Sequence, residues 1–164
     1  SDIIMSMVEI HNSVAKVYEE NKETLEIFEC LDEFSDTQNF CDHYGFDIED
    51  SCNAILIKAK KPEEFYAMFC VLGANRLDVN HKAKEAMGAK RVSFASREEA
   101  EAVTGQIYGG ISPLGLPENI KVYMDKNVTD REKLFIGAGN RVSKFFLSPE
   151  TLIDLSSAKV LDLT

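Results

Sequence analysis

The chain has 164 residues, of which 45% are hydrophobic and 28% charged, and its formal net charge is −10. This balance is typical of a globular protein and excludes a collagen-like, disordered or disulfide-scaffold chain. Charged residues interrupt every apolar run before it reaches the roughly 18 residues of a membrane span, so we expect no membrane association. Net acidity argues against nonspecific binding of duplex DNA, which depends on neutralising phosphates.

The N-terminus and the cysteines predict a cytoplasmic protein. The first residues lack the basic and apolar segments of a secretory signal. The cysteines have neither CxxC spacing nor a histidine at a zinc-ligand interval, so we expect free thiols and no metal site. They are Cys30, Cys41, Cys52 and Cys70.

Periodicity and cap residues predict short helices that alternate with strands. Apolar residues at intervals of three and four indicate helices, and alternating apolar and polar residues indicate strands. Ser35 with Gln38 and Ser96 with Glu99 match the capping-box pattern and predict two helix starts. In chain order we predict a helix at 3–20, a strand at 24–30, a helix at 35–44, a hairpin of strands at 52–59 and 65–72, a helix at 78–87, a strand at 91–95, a helix at 96–104, strands at 121–124, 134–136 and 142–147, a helix from 148 and a strand at 159–163. This order indicates one mixed α/β (α+β) domain, because no repeat or linker divides the chain.

Charge is distributed unevenly along the chain. Residues 1–50 carry 14 acidic and 2 basic side chains, whereas residues 58–91 carry eight basic and four acidic ones. The basic segment is either a local face that holds one nucleic-acid strand end or an ordinary solvated surface. The acidic segment suits a basic protein partner.

A glycine-rich loop is the most informative local feature. Residues 109–115 contain three glycines and one proline, so the backbone is free to adopt positive φ angles and to expose its amides. Exposed amides suit a phosphate, a carboxylate or a developing oxyanion. The alternative is an ordinary connection between a helix and a strand. No GxSxG, HExxH or GxxxxGK[ST] motif is present, and the histidines are isolated.

Several segments occur in an order that resembles a known family. They are CNAILI at 52–57, NRLD at 75–78, AMGAK at 86–90, the helix and glycine at 99–105, a GxxxP signature within 109–115, VYMD at 122–125, GAG at 137–139 and the closing helix at 148–155. Together they resemble the YbaK/ProX family of aminoacyl-tRNA deacylases, a fold also inserted as an editing domain in bacterial prolyl-tRNA synthetases. The resemblance implies a single domain over 1–164 with an N-terminal helix within 1–22. It also implies a mixed, largely antiparallel or barrel-like sheet flanked by short helices.

The resemblance also implies a reaction and a set of site residues. Such proteins hydrolyse in trans the ester that joins a mischarged amino acid to a tRNA, using positioned water and no cofactor or metal. Its partners would be the CCA end of an aminoacyl-tRNA and an aminoacyl-tRNA synthetase or other basic protein. The implied catalytic residues are those of the loop, Gly109, Gly110, Ile111, Ser112 and Pro113, together with Asn53. The implied substrate-binding residues are Asp125 and Gly137, which would line the pocket, and Arg76 and Lys58, which would receive the CCA end.

Asn53 is a departure from the family pattern. The family has a lysine here, in a pattern that resembles K-T-L, and asparagine brings no positive charge to a phosphate or an oxyanion. Lys58 lies five residues further along the strand and is expected on the opposite face. Two alternatives therefore stand beside the deacylase: a catalytically weakened or inactive module that binds aminoacyl-tRNA or a protein partner, and an unrelated hydrolase of small esters.

Overall fold

A computed structural model describes residues 12–164. In this range the five α-helices are α1 (Asn12–Glu20), α2 (Thr37–Tyr44), α3 (Lys84–Met87), α4 (Arg97–Thr104) and α5 (Pro149–Ser156). The eight strands are β1 (Glu26–Glu29), β2 (Cys52–Lys61), β3 (Phe65–Leu72), β4 (Arg91–Phe94), β5 (Lys121–Asp125), β6 (Leu134–Gly137), β7 (Ser143–Leu147) and β8 (Lys159–Leu161). Residues 3–11 of the predicted first helix lie outside the described range. No helix described here has the length and apolar character needed to span a bilayer.

Helix starts follow the predicted cap residues, with one correction. Ser96 and Glu99 form the reciprocal capping box of α4. At α2 the cap is Asp36 rather than Ser35, because the Asp36 carboxylate accepts the Asn39 amide at 3.1 Å while Ser35 is buried. A carboxylate at this position also interacts favourably with the helix dipole.

The strands form two open sheets. The first is antiparallel, in the order β1-β7-β6, and the second has the order β4-β2-β3-β5-β8. In the second sheet β4, β2 and β3 pair antiparallel, whereas β5 and β8 continue parallel to β3. The fold is therefore mixed α/β as predicted, and within residues 12–164 both sheets keep free edges instead of closing into a barrel.

Strand β2 separates two hydrophobic cores because successive side chains point to opposite faces of a sheet. Leu56 belongs to the main core, which also contains Val14 of α1. Ile57 belongs to a second core that contains Met87 of α3. A third, aromatic cluster forms around Phe40 of α2 and covers the other face of the first sheet.

In the described part of the chain, the first half of β2 has a free edge. Strand β4 pairs with β2 only from Ile57 onward, next to a bond from the Ala95 amide to the Leu56 carbonyl. Before β2 begins, Ser51 forms a single bridge to Phe135 of β6. Between these two points, residues 52–56 border a gap between the sheets.

Candidate active site

A cleft of about 450 Å³ opens beside the free edge of β2. Its walls come from β2, from the loop after α4, and from neighbouring positions on β6 and β7. The lining residues are Thr37, residues 51–56, Phe94, Ala95, Ala100, residues 108–111, residues 135–137 and Lys144. Five of the predicted site residues are thereby brought together: Asn53, Gly109, Gly110, Ile111 and Gly137.

Gln106 holds the glycine loop against the end of α4. Its side chain is buried, and its Oε1 accepts the Ser112 amide at 2.6 Å. Its Nε2 donates to the carbonyls of Ser112 at 3.3 Å and Leu114 at 3.1 Å. The Gln106 amide donates in turn to Thr104 Oγ1 at 3.1 Å. Each polar atom of this buried amide group thus has a partner in the loop, which fixes the loop conformation.

Two glycines allow the loop to lie directly against β6 and the turn that follows it. A Cβ on Gly110 would stand 1.8 Å from the Asn140 carbonyl oxygen. A Cβ on Gly137 would stand 2.6 Å from the carbonyl oxygens of both Gly110 and Ile111. Backbone occupies these positions, so only glycine fits without moving the chain.

The loop leaves two amides available to a ligand. The Gly110 amide is used within the loop, donating to the Ile107 carbonyl at 3.0 Å. Within residues 12–164 the amides of Gly109 and Ile111 have no hydrogen-bond acceptor. Because both residues line the cleft, their N–H groups are candidates to bind a carbonyl oxygen or an oxyanion.

Cys52 is a nucleophile by residue type, but its environment keeps it a thiol. The hydrogen bond with Cys70 and burial raise the pKa of Cys52 well above its usual value. The thiolate is the reactive form, so this side chain is inert near neutral pH. The described residues that line the cleft include no histidine, aspartate or glutamate.

The family model described as the aminoacyl-tRNA editing domain matches residues 32–155. The chain belongs to this family.

Curated relatives of the editing-domain chain match it over part of their length. A protein of Enterococcus faecalis, whose name assigns it as a Cys-tRNA(Pro)/Cys-tRNA(Cys) deacylase, is 30% identical over 92 residues, which are 56% of each chain. A proline–tRNA ligase of Nautilia profundicola is 33% identical over 106 residues, covering 63% of this chain and 18% of the ligase. The chain thus spans about half the length of the first relative and under a fifth of the second.

Solved structures share the fold of this editing domain over nearly the whole chain. A crystal structure assigned as a trans-editing enzyme for prolyl tRNA synthetase matches with a TM-score of 0.79 and 24% identity, covering 93% of this chain and 97% of the other. The hypothetical protein APE2540 matches with a TM-score of 0.82 and 22% identity, covering 93% and 99%.

Ser112 and Pro113 lie outside the cleft of this editing domain, contrary to their expected place in it. Ser112 is fully buried, and its hydroxyl accepts the Leu114 amide at 3.1 Å. Pro113 lines a separate groove of about 1040 Å³ beside α1. The GxxxP signature therefore begins with residues that line the cleft, Gly109 and Gly110, and ends with a proline that lines the other groove.

Asp125 does not line the cleft either. It is fully buried, and its Oδ1 accepts the Leu163 amide at 2.8 Å. This bond ties the end of β5 to the chain just after β8, a contact between residues 38 positions apart.

The two predicted basic residues also lie elsewhere. Lys58 forms an ion pair with Glu99 at 2.7 Å and lies 3.6 Å from Glu64. It points to the face opposite Asn53, as its offset along β2 predicts. Arg76 is exposed after the end of β3 and does not line the cleft.

Sequence reasoning missed two residues of the editing-domain site. Gln106 follows the glycine that ends α4, and nothing in the sequence indicates that its side-chain amide is buried. Lys144 carries the charge among the described residues that line the cleft. Lys144 did have a sequence signal, because it is a lysine at a position where the strand pattern requires a buried side chain.

Proposed function

We propose that this chain is an aminoacyl-tRNA deacylase that acts in trans and hydrolyses the ester of a mischarged tRNA. The observation that carries the proposal is that Gly109 and Ile111 line a cleft in a chain of the editing-domain family, and that their amides have no hydrogen-bond acceptor within residues 12–164. The deacylase function named for the first relative supports the same reaction.

Water is the nucleophile in this proposal. Cys52 is held as a thiol, and the described cleft residues offer no carboxylate or imidazole as a general base. The two amides bind the ester carbonyl and stabilise the oxyanion as water attacks. The acyl C–O bond to the ribose then breaks, and the departing ribose oxygen takes up the proton that the water gives up. The neighbouring ribose hydroxyl of the substrate orients the water, and Asn53 donates a hydrogen bond to the sugar or the carbonyl.

The volume of the cleft suits a terminal nucleotide that carries a small aminoacyl group. A volume of about 450 Å³ holds one nucleoside and a compact aminoacyl group rather than a duplex stem. Two exposed aromatic rings lie at the cleft, Phe94 with 62% and Tyr108 with 48% of their surface exposed. Single-stranded bases are commonly bound by stacking on such rings, so these residues would hold the terminal adenine.

The tRNA end is a better-supported partner than a basic protein. Five acidic side chains of residues 1–50 form ion pairs with basic side chains of the second half of the chain. Arg131 lies 2.8 Å from Asp50, and Arg141 lies 2.7 Å from Asp32. The acidic surface offered to a partner is correspondingly smaller than the sequence suggests.

In the same proposal the chain acts as one domain. Val14 and Tyr18 of α1 are buried in the main core. The Ser13 carbonyl lies 2.0 Å from where a Cβ on Gly115 would stand, so α1 contacts the far end of the glycine loop.

The test is release of amino acid from mischarged tRNAs by the purified full chain. The panel includes Cys-tRNA(Pro), Cys-tRNA(Cys) and tRNAs charged with other small side chains, and correctly charged tRNA is the reference. Hydrolysis of a mischarged species supports the proposal. Tight binding without hydrolysis identifies a binding module, and hydrolysis of free aminoacyl esters alone identifies a small-ester hydrolase; either result overturns it.

A further inference from the structure

Lys144 is a buried lysine that has no ion-pair partner among residues 12–164. Only 7% of its surface is exposed, although it lines the cleft. Among residues 12–164 no carboxylate lies within ion-pair distance of its ammonium group. The contact recorded for that group is with the Phe40 ring, whose centroid is 5.0 Å away.

The side chains around Lys144 do not neutralise it. Burial raises the pKa values of the Cys30 and Cys41 thiols, so both stay uncharged near neutral pH. Asp36 acts only at longer range, and Arg141 is a like charge that is itself paired with Asp32 at 2.7 Å. Burial accordingly lowers the pKa of Lys144.

An unpaired buried ammonium opposes folding rather than stabilising it. Desolvating a charge is unfavourable, and a methionine would fill the same space without that penalty. A lysine at this position is therefore better explained by a role in ligand binding than by a role in stabilising the fold.

The strand register places Lys144 beside the glycine loop. Lys144 pairs with Gly137 across β7 and β6. Gly137 is the residue against which the carbonyls of Gly110 and Ile111 close. The cation thus belongs to the same cleft as the two free amides and Asn53.

We propose that Lys144 is the anion-binding residue of this cleft and contacts a negatively charged oxygen of the bound aminoacyl-nucleotide end. It supplies from β7 the positive charge that Asn53 does not supply from β2. The inference rests on the proposed function for the identity of the substrate. The oxygen is either that of the phosphate next to the terminal nucleoside or the oxyanion that forms at the ester carbonyl.

The experiment compares Lys144→Met with Lys133→Met in the full chain. Lys133 is a matched control because its ammonium also lies over a phenylalanine ring, that of Phe146 at 5.9 Å, but it is exposed and outside the cleft. Three quantities are measured: the thermal unfolding midpoint, the Kd values for adenosine 5′-phosphate and adenosine, and single-turnover deacylation.

We expect Lys144→Met to unfold at the same temperature as the wild type or higher. If the phosphate is the ligand, the variant binds adenosine 5′-phosphate about tenfold more weakly and adenosine equally well. If the oxyanion is the ligand, nucleotide binding is unchanged and the maximal deacylation rate falls about 100-fold. Lys144→Arg retains part of the nucleotide affinity or deacylation rate that Lys144→Met loses. Lys133→Met matches the wild type in unfolding midpoint, Kd values and deacylation rate.

The inference is overturned if Lys144→Met changes neither nucleotide binding nor the deacylation rate. It is also overturned if its loss of function is accompanied by a lower unfolding temperature, because that indicates a structural role. If the wild type hydrolyses no mischarged tRNA, the proposed function fails separately. The comparison of adenosine 5′-phosphate with adenosine then decides the role of Lys144 alone.

Discussion

Lys58 Nζ lies 2.7 Å from Glu99 Oε2, and the same oxygen accepts the Tyr66 hydroxyl at 2.8 Å. These bonds fix the start of α4 to the β2–β3 hairpin, and the other end of α4 leads to Gln106 and the glycine loop. Lys58, the Ser96 amide and Tyr66 together lower the pKa of Glu99 from 4.5 to about 2.

This network predicts a pH-dependent contribution to stability. Because the pKa of Glu99 is lower in the folded state, its contribution is present above pH 4.5 and is lost as the pH falls toward 2. Glu99→Gln should therefore be less stable than the wild type at pH 7, with the difference vanishing near pH 2. Urea unfolding across this range measures the effect. Glu98→Gln, an exposed neighbour, is the control, and an equal pH slope in both variants would contradict the prediction.

Substitution of Gly110 should disable the loop. Gly110→Ala places a methyl group onto the Asn140 carbonyl, 1.8 Å away, and the strained backbone should lower the free energy of unfolding by about 2 kcal/mol. Deacylation should fall about 100-fold because the free amides move. Gly88→Ala is the control, since its added Cβ meets open space and only its positive φ is strained. Chemical denaturation and single-turnover rates check both effects.

Removal of the Gln106 amide should loosen the same loop from inside. Gln106→Leu leaves the buried Ser112 amide and the Leu114 carbonyl without partners, lowering the free energy of unfolding by about 3 kcal/mol. Faster hydrogen exchange at residues 109–114 would locate the change. Exchange as slow as in the wild type would show that the loop does not depend on this side chain.

The exposed aromatic residues should affect substrate binding more than the chemical step. Tyr108→Ala and Phe94→Ala should each raise KM about tenfold with little change in kcat, because stacking on a base holds the substrate before and during the reaction. Phe65→Ala removes an exposed ring outside the cleft and serves as the control. A matching loss of kcat would argue against a stacking role.

Charge at Asn53 should compensate for charge lost at Lys144. Both residues line the cleft, so Asn53→Lys should recover about a tenth or more of the function lost in Lys144→Met. The single variant Asn53→Lys, the single variant Lys144→Met and the double variant form a thermodynamic cycle. Purely additive effects would indicate that the two positions serve different groups of the substrate.

Local features of the fold could be predicted from the sequence, and long-range contacts could not. The capping box at Ser96 and the left-handed glycines that end α2 and α4 depend on neighbours a few residues away. The glycine loop is predictable for the same reason, since its site residues are consecutive in the sequence.

The rest of the site depends on pairing between distant segments. Lys144 enters the cleft through its register with Gly137, and strand register is not encoded by one strand alone. The resemblance places Asp125 in the pocket, but Asp125 is buried and bonded to the chain after β8. It implies that Lys58 binds the CCA end, but Lys58 is paired with Glu99, 41 residues away in α4. Both charged side chains therefore make contacts that stabilise the fold, and these contacts come from segments that are distant in sequence.

Tyr18 stacks on Phe145, so the hydrophobic core includes a residue that precedes the segment matched by the family model. The ring centroids are 5.9 Å apart, and Phe145 directly follows Lys144 on β7. A shortened recombinant version starting at residue 32, where the family match begins, would uncover the inner side of this strand and leave Gly115 without its abutting helix. Such a fragment should aggregate and process its ester substrate poorly, although every cleft residue is still encoded.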